Sequence, residues 1–183
     1  MIKIIALLFI VFVSVTFLLN CGLYNYDEYW DIEYDIPEID YTDHPQLDGT
    51  TIVFNDEVVQ IVWWVSKYIM YTKDEVLYND GEYWATPEET YKSQRGDCED
   101  HALLSLYLLH RDLGLNPRLV CGWYKDLRHA WIELDGEWYE ATSGRKVTDS
   151  SNYREFLTYE YNEALGIAAR VRTLNVPFVV GGE

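Results

Sequence analysis

Positive charge is scarce in this chain. Its 14 Lys and Arg residues stand against 31 Asp and Glu, a formal net charge of −17 at pH 7. A nucleic-acid footprint is a basic patch or stripe, and nothing here resembles one, so nucleic acid is excluded as a partner. A polyanion would be repelled, whereas a cationic partner or a divalent ion is compatible with this charge, which can equally serve solubility. Cysteine is also rare, at 3 residues. Cys21, Cys98 and Cys121 have unlike settings, which argues against a disulfide framework, and no pair has the C-x-x-C spacing of a zinc site. The 4 histidines, His44, His101, His110 and His129, are too scattered to make a zinc enzyme with them. The apolar run Ile4 to Leu19 has 16 residues, short of the roughly 20 needed to span a bilayer as a helix. No internal repeat or low-complexity tract is present.

What remains is a chain of 183 residues, 49% hydrophobic and 25% charged, long enough for one domain with a sizeable core. Aromatic residues are frequent, with 7 Trp, 16 Tyr and 6 Phe. They can line a ligand surface or simply stiffen a small core.

The run Ile4 to Leu19, with Lys3 before it, fits the apolar and basic regions of a signal peptide. Leu18-Leu19-Asn20-Cys21-Gly22 follows and resembles the lipobox of bacterial lipoproteins, which implies lipidation at Cys21. Asn20 stands where that pattern prefers a small residue, so an uncleaved anchor and simple secretion stay open. Either anchored form places the protein at a membrane on an extracytoplasmic face. Three segments are therefore expected: 1–21 as signal or anchor, 22–48 as an acidic linker, and 49–183 as the folded domain. The linker is Tyr-rich, carries Pro37 and Pro45, and reads as a tether or an extended wrap. Its acidic residues do not match an EF-hand loop.

Within the domain, Asn55 or Asp56 can cap a helix running to about Tyr71, with Val58, Ile61, Val62, Val65 and Ile69 on its apolar face. Thr86 with Glu89 gives a capping box for a short helix from Pro87 to about Ser93. The stretch Gln94-Arg95-Gly96-Asp97-Cys98-Glu99-Asp100-His101-Ala102 then leads into a Leu-rich run that reads as a buried helix ending at Gly114. Cys98 falls in its first turn, where unpaired backbone N–H groups favour a thiolate. Strands are expected at Arg118 to Tyr124 and at His129 to Leu134, with Asp135-Gly136 as a tight hairpin turn. If Leu134 pairs with Glu137, Glu140 becomes the diagonal neighbour of His129 on one sheet face. A short helix is expected at Tyr153 to Tyr161, and an extended tail from Ala168 to Val180.

A cysteine nucleophile needs a base, and the base needs an orienting group. His129 with Glu140 is the best pair available. His101 lies one turn from Cys98 in apolar surroundings, and His110 lies at the far helix end. Cys121, in mid-strand, reads as a buried structural thiol. Gln94 and Trp84 are candidate oxyanion donors beside the Cys98 amide. The carboxylates Asp97, Glu99 and Asp100 would raise the thiol pKa unless something offsets them.

Trp84-Ala85-Thr86-Pro87-Glu88-Glu89-Thr90, Gly96-Asp97-Cys98-Glu99-Asp100-His101-Ala102, His129-Ala130-Trp131 and Trp138-Tyr139-Glu140-Ala141-Thr142 together resemble the transglutaminase-like superfamily. The chain looks most like its bacterial cysteine proteinases, over roughly Phe54 to Gly144. The resemblance implies an α+β fold with a transglutaminase-like/papain-like core, the nucleophile helix packed on an antiparallel sheet. It implies Cys98 as nucleophile and His129 as base. The third position is usually Asp in this family and is Glu140 here. It also implies Asp97, Glu99 and Asp100 as candidate Ca²⁺ ligands, although Asp97 and Asp100 can instead cap and favour the helix start. The chemistry itself requires no cofactor: a thioester forms on Cys98, and water or a lysine amine resolves it. A peptidase acting on a protein or peptide is expected, with a protein-glutamine acyltransferase or an inactive binding module as alternatives.

Overall fold

The computed structural model describes residues 32–42, 56–79 and 81–174. Contacts divide the chain after Ile32, and the unit described below is Glu33–Glu183. Cys21, His44, the expected anchor and the tail beyond residue 174 lie outside the described residues. Among the described residues, no helix is long and apolar enough to cross a membrane.

Helix α1 (Glu57–Tyr68) starts at Asp56, whose carboxylate accepts the Val58 and Val59 amides, and buries Ile61, Val62, Trp64 and Val65. The expected apolar face is therefore the packed one, but the helix stops three residues early. Met70 and Tyr71 leave it as strand β1 (Met70–Tyr71), which pairs in parallel with β2 (Arg95–Gly96). Between them lie a single turn, α2 (Asp74–Leu77), and α3 (Pro87–Ser93). The α3 start has both halves of the capping box, Thr86 and Glu89, as the sequence spacing requires.

Helix α4 (Cys98–Leu113) is the centre of this unit. Leu103, Leu104, Leu106, Leu108 and Leu109 are fully enclosed. A helix apolar on every side must be covered on every side, and α1, α3, the sheet and the C-terminal helix all pack on it. Burial of each leucine contributes about 1.5–3 kcal/mol. Gly114, at φ 66°, closes the helix in the left-handed conformation, which glycine adopts without a Cβ clash. Residues 34–41 run along α4. Tyr34 packs edge-on to Tyr107 at 5.0 Å, and the Arg111 guanidinium donates to the carbonyl of Ile36 at 2.9 Å.

The sheet has five antiparallel strands in the order β6-β5-β4-β3-β7. Its strands are β3 (Arg118–Tyr124), β4 (Leu127–Leu134), β5 (Glu137–Glu140), β6 (Arg145–Lys146) and β7 (Tyr153–Tyr159). Leu134 pairs with Glu137, the register that the Asp135-Gly136 turn demands. Helix α5 (Tyr161–Leu174) closes the unit, burying Ala164, Leu165 and Ala168.

Two expectations are corrected here. The helix expected at Tyr153 to Tyr161 is strand β7, and residues 168–174 of the expected extended tail are helical. Tyr153-Arg154-Glu155-Phe156-Leu157-Thr158-Tyr159 carries the aromatic residues that suit a pleated surface. Pairing with β3 supplies the decisive energy, because it satisfies backbone groups that β3 would otherwise present at an open edge. Ala164, Leu165 and Ala168 lie on one helical stripe, and its small side chains made that stripe a weak hydrophobic signal. The α+β architecture, with the Cys98 helix packed on an antiparallel sheet, is the expected one.

Candidate active site

Local chemistry places Cys98 at the first position of α4. Asp97 is its N-cap, and the Asp100 carboxylate reaches back to accept the Asp97 amide at 3.2 Å. Its other oxygen accepts the Ala85 amide at 2.8 Å. That close approach depends on Gly96, because a Cβ there would stand 2.5 Å from the Asp100 Cβ. The β1–β2 pair then ties the end of α1 to the turn before Cys98. The Met70 amide donates to the Gln94 carbonyl, and the Thr72 amide to the Gly96 carbonyl, each at 2.8 Å.

Cys98 and His129 line one cavity of about 170 Å³, together with Trp84, Asp97, Glu99 and Cys121. Of the two oxyanion candidates, Trp84 borders this cavity, whereas Gln94 is exposed at the α3 C-cap and is not part of its wall. The Cys98 thiol donates to Glu99 Oε2 at 3.1 Å. Burial pushes the thiol pKa well up, and the charges of Glu99 and Asp97 push it further, while the Ala130 amide pulls it back. The helix N-terminus therefore does not by itself produce a thiolate, because the adjacent carboxylates outweigh it. Cys121 is buried as expected, and burial with Glu99 and Glu82 lifts its pKa to about 12.

His129 Nε2 and Glu140 Oε2 are 2.7 Å apart. Burial alone would raise the Glu140 pKa. The His129 contact and hydrogen bonds from Thr142 and Tyr153 outweigh it and hold the carboxyl below its usual range. The Thr142 hydroxyl donates to Oε1 at 2.8 Å and the Tyr153 hydroxyl to Oε2 at 3.0 Å. Neither residue was singled out from sequence. Thr142 sits in the recognisable stretch after Glu140, but Tyr153 is brought in only by the β3–β7 pairing.

The other two histidines among the described residues are used structurally. His101 is fully buried, its ring nitrogens lie 2.6 Å from the Asp97 carbonyl and 3.2 Å from that of Ile69, and burial lowers its pKa. With both nitrogens against main-chain carbonyls, it braces the α4 start. His110 Nδ1 contacts the Leu115 carbonyl at 2.6 Å, and its ring lies 4.0 Å from that of Tyr161.

The acidic residues fall into two groups whose candidate ligand atoms lie within 4.8 Å of one another: Asp97, Cys98 and Glu99, and Asp74, Asp97 and Asp100. Glu99 and Asp100 are thus in different groups, Asp97 is common to both, and Asp74 is an addition that sequence did not reveal. No protein N–H or O–H reaches Asp97 Oδ1 or Glu99 Oε1, both buried. One oxygen of each carboxyl lies within 4.8 Å of the other, and burial followed by Asp97 raises the Glu99 pKa strongly. A proton or a cation would compensate these oxygens, and the all-oxygen group of Asp74, Asp97 and Asp100 suits a hard divalent ion.

Among solved structures, LapG of Legionella pneumophila is similar at 16% identity, covering 56% of this chain and 62% of that one, with a TM-score of 0.48. Its EGTA-treated form aligns with the same identity and TM-score. A protein from Cytophaga hutchinsonii, described as a candidate cysteine protease, aligns at 22% identity over 63% of this chain and 38% of that one, with a TM-score of 0.44. The chain thus spans less than two thirds of the length of each. No curated protein matches. The profile of the transglutaminase-like superfamily matches residues 44–142, which is more than half of the chain and takes in Cys98, His129 and Glu140. On that match, the chain belongs to the transglutaminase-like superfamily.

Proposed function

We propose that this protein is a cysteine peptidase that cleaves protein or peptide amide bonds through a Cys98-His129-Glu140 triad. The observation that carries this reading is the hydrogen bond between His129 Nε2 and Glu140 Oε2, with His129 on the wall of the cavity that Cys98 also lines. With Nε2 directed at the carboxylate, Nδ1 is left to exchange a proton with the thiol. Cys98 Sγ attacks the amide carbon, and its proton passes to His129. The C–N bond breaks as His129 returns the proton to the departing amine, leaving a thioester on Cys98. Water, deprotonated by His129, then releases the acid and restores the thiol. The Cys98 backbone N–H would hold the oxyanion, with Trp84 at the cavity edge as the second candidate donor.

A Ca²⁺ ion fits the oxygen set around Asp97, with Glu99 or with Asp74 and Asp100 as further ligands. Such an ion would offset the carboxylate charge that keeps Cys98 protonated. The N-terminal reading completes the proposal: Ile4 to Leu19, with or without lipid on Cys21, holds the enzyme to a membrane on an extracytoplasmic face, with residues 22–48 as its linker. Fatty-acid labelling lost in Cys21→Ala supports the lipid form, and soluble protein in the medium rejects both anchored forms.

The chemical test is turnover of a protein substrate by wild type and Cys98→Ala. Shortened chains from wild type, with none from the variant, support the peptidase. Crosslinked products with ammonia release would replace it with acyl transfer to lysine. Undiminished cleavage by Cys98→Ala would overturn the cysteine mechanism.

A further inference from the structure

Glutamate has one more rotatable bond than aspartate, so a glutamate that must hold an imidazole needs its carboxylate fixed by something else. Ordering a free Glu side chain costs up to about 1.5–2 kcal/mol of rotamer entropy. The surroundings of Glu140 supply that restraint. Oε2 accepts from His129 at 2.7 Å and from the Tyr153 hydroxyl at 3.0 Å. Oε1 accepts from the Thr142 hydroxyl at 2.8 Å and faces the Thr142 amide at 3.4 Å. Four partners fill the roughly four acceptor sites of a carboxylate. Tyr153 is itself held rigid. Its ring lies 4.8 Å from Tyr124 and 5.2 Å from Trp131, with Trp138 at 5.9 Å, and its backbone opens β7 in register with Tyr124.

We propose that Tyr153, working with Thr142, is the positioning residue that fixes Glu140 Oε2 against His129 and so holds the long glutamate side chain in one orientation. The proposal rests on the triad reading above. Tyr153 is not part of the wall of the cavity that Cys98 lines, and it acts through Glu140. Three elements meet in this clamp: β4 brings the imidazole, the end of β5 the carboxylate with Thr142 just beyond it, and β7 the phenol. Strand β7 is thus part of the catalytic architecture as well as the edge of the sheet.

The test uses the full chain with ¹⁵N-labelled histidine. In Tyr153→Phe, the fold is retained by circular dichroism, and the His129 Nε2–H resonance shifts or broadens. Turnover falls about tenfold in kcat, the effect of losing roughly one hydrogen bond to a charged group, with KM held within about twofold. In a Glu140→Gln background the same substitution changes kcat by less than about twofold, because coupled residues are not additive. Thr142→Val repeats the resonance change, and Thr142→Ser restores it, which covers the case of a misfolded Tyr153 variant. An unchanged resonance in Tyr153→Phe and Thr142→Val, or an equal kcat loss in both backgrounds, overturns the proposal. The resonance requires no turnover, so failure of the cysteine mechanism, seen as activity surviving Cys98→Ala, is distinguishable from failure of the clamp.

Discussion

His129 and Glu140 meet across the β4–β5 hairpin, with Nε2 and Oε2 2.7 Å apart. The contact is diagonal, two residues off direct opposition by the register that pairs Leu134 with Glu137. It exists because a two-residue turn at Asp135-Gly136 fixes that register, and because Glu is long enough to cross the diagonal. Glu140→Gln should keep an orienting hydrogen bond but lose the charge that stabilises an imidazolium. Turnover should fall by about ten- to a hundredfold, and thermal stability at neutral pH should fall as well, because the stabilised carboxylate charge is gone. Steady-state kinetics beside a melting curve checks both halves, and full activity in the variant would remove Glu140 from the mechanism.

The same carboxylate has a pH signature. Its folded pKa is depressed, with burial opposed and outweighed by His129, Thr142 and Tyr153. A depressed pKa contributes stability that is present above the unfolded value, about 4.3 for Glu, and is lost as pH falls through the folded value. Wild type should therefore lose more stability than Glu140→Gln on acidification below about pH 4. Denaturant titrations at a series of acid pH values measure the difference directly.

Much of this site is visible in the bare sequence, and the division follows the range of the interactions. Thr86 with Glu89, Cys98 at a helix start, Gly114 at its end and the Asp135-Gly136 turn are local signals, and each is realised. Tyr153 and Asp74 carry no local signal. Tyr153 reaches Glu140 only after β7 pairs with β3. Asp74 is buried beside the α4 start, where its carboxylate accepts the Tyr83 amide, only after β1 pairs with β2. The strand at 153–159 differs from the helix that its local sequence suggests for the same reason, since its partner strand, Arg118–Tyr124, is distant in sequence.

Asp100 and Asp97 should separate by phenotype. Asp100 is fully buried and accepts two backbone amides, those of Ala85 and Asp97. Asp100→Ala should therefore cost about 2 kcal/mol or more of stability, because two buried donors lose their acceptor. Asp97 is half-buried, with one oxygen that accepts nothing. Asp97→Ala should be milder in stability, at about 0.5–2 kcal/mol for a lost helix cap. Urea denaturation of the two variants tests the order, and equal losses would contradict it.

Cys98 alkylation by iodoacetamide reads the electrostatics of the nucleophile. Its thiol is pushed up by burial and then by Glu99 and Asp97, so in metal-free buffer the rate should be low at pH 7 and climb as pH rises. Glu99→Gln removes the nearest carboxyl, whose ionisation opposes that of the thiol, and should let the rate climb at lower pH. Cys121, at about 12 and buried, should react more slowly than Cys98 throughout. Ca²⁺ should act in the same direction as Glu99→Gln, because cation and substitution remove the same repulsion. The sign of its effect on stability also follows. Glu99 and Asp100 both have strongly raised pKa values, burial being the largest cause for each. A carboxyl with a raised folded pKa contributes stability that is complete below its unfolded value and is lost as pH rises through the folded one. The metal-free protein should accordingly melt lower at pH 8 than at pH 5. Ca²⁺ competes with protons for these oxygens, so it should raise the melting temperature more at pH 8 than at pH 5, and Asp97→Ala, which removes the residue shared by both acidic groups, should abolish that gain. Calorimetry showing no heat of Ca²⁺ binding, with unchanged melting and alkylation, would leave these carboxylates as helix-capping groups and would oblige the substrate itself to ionise the thiol.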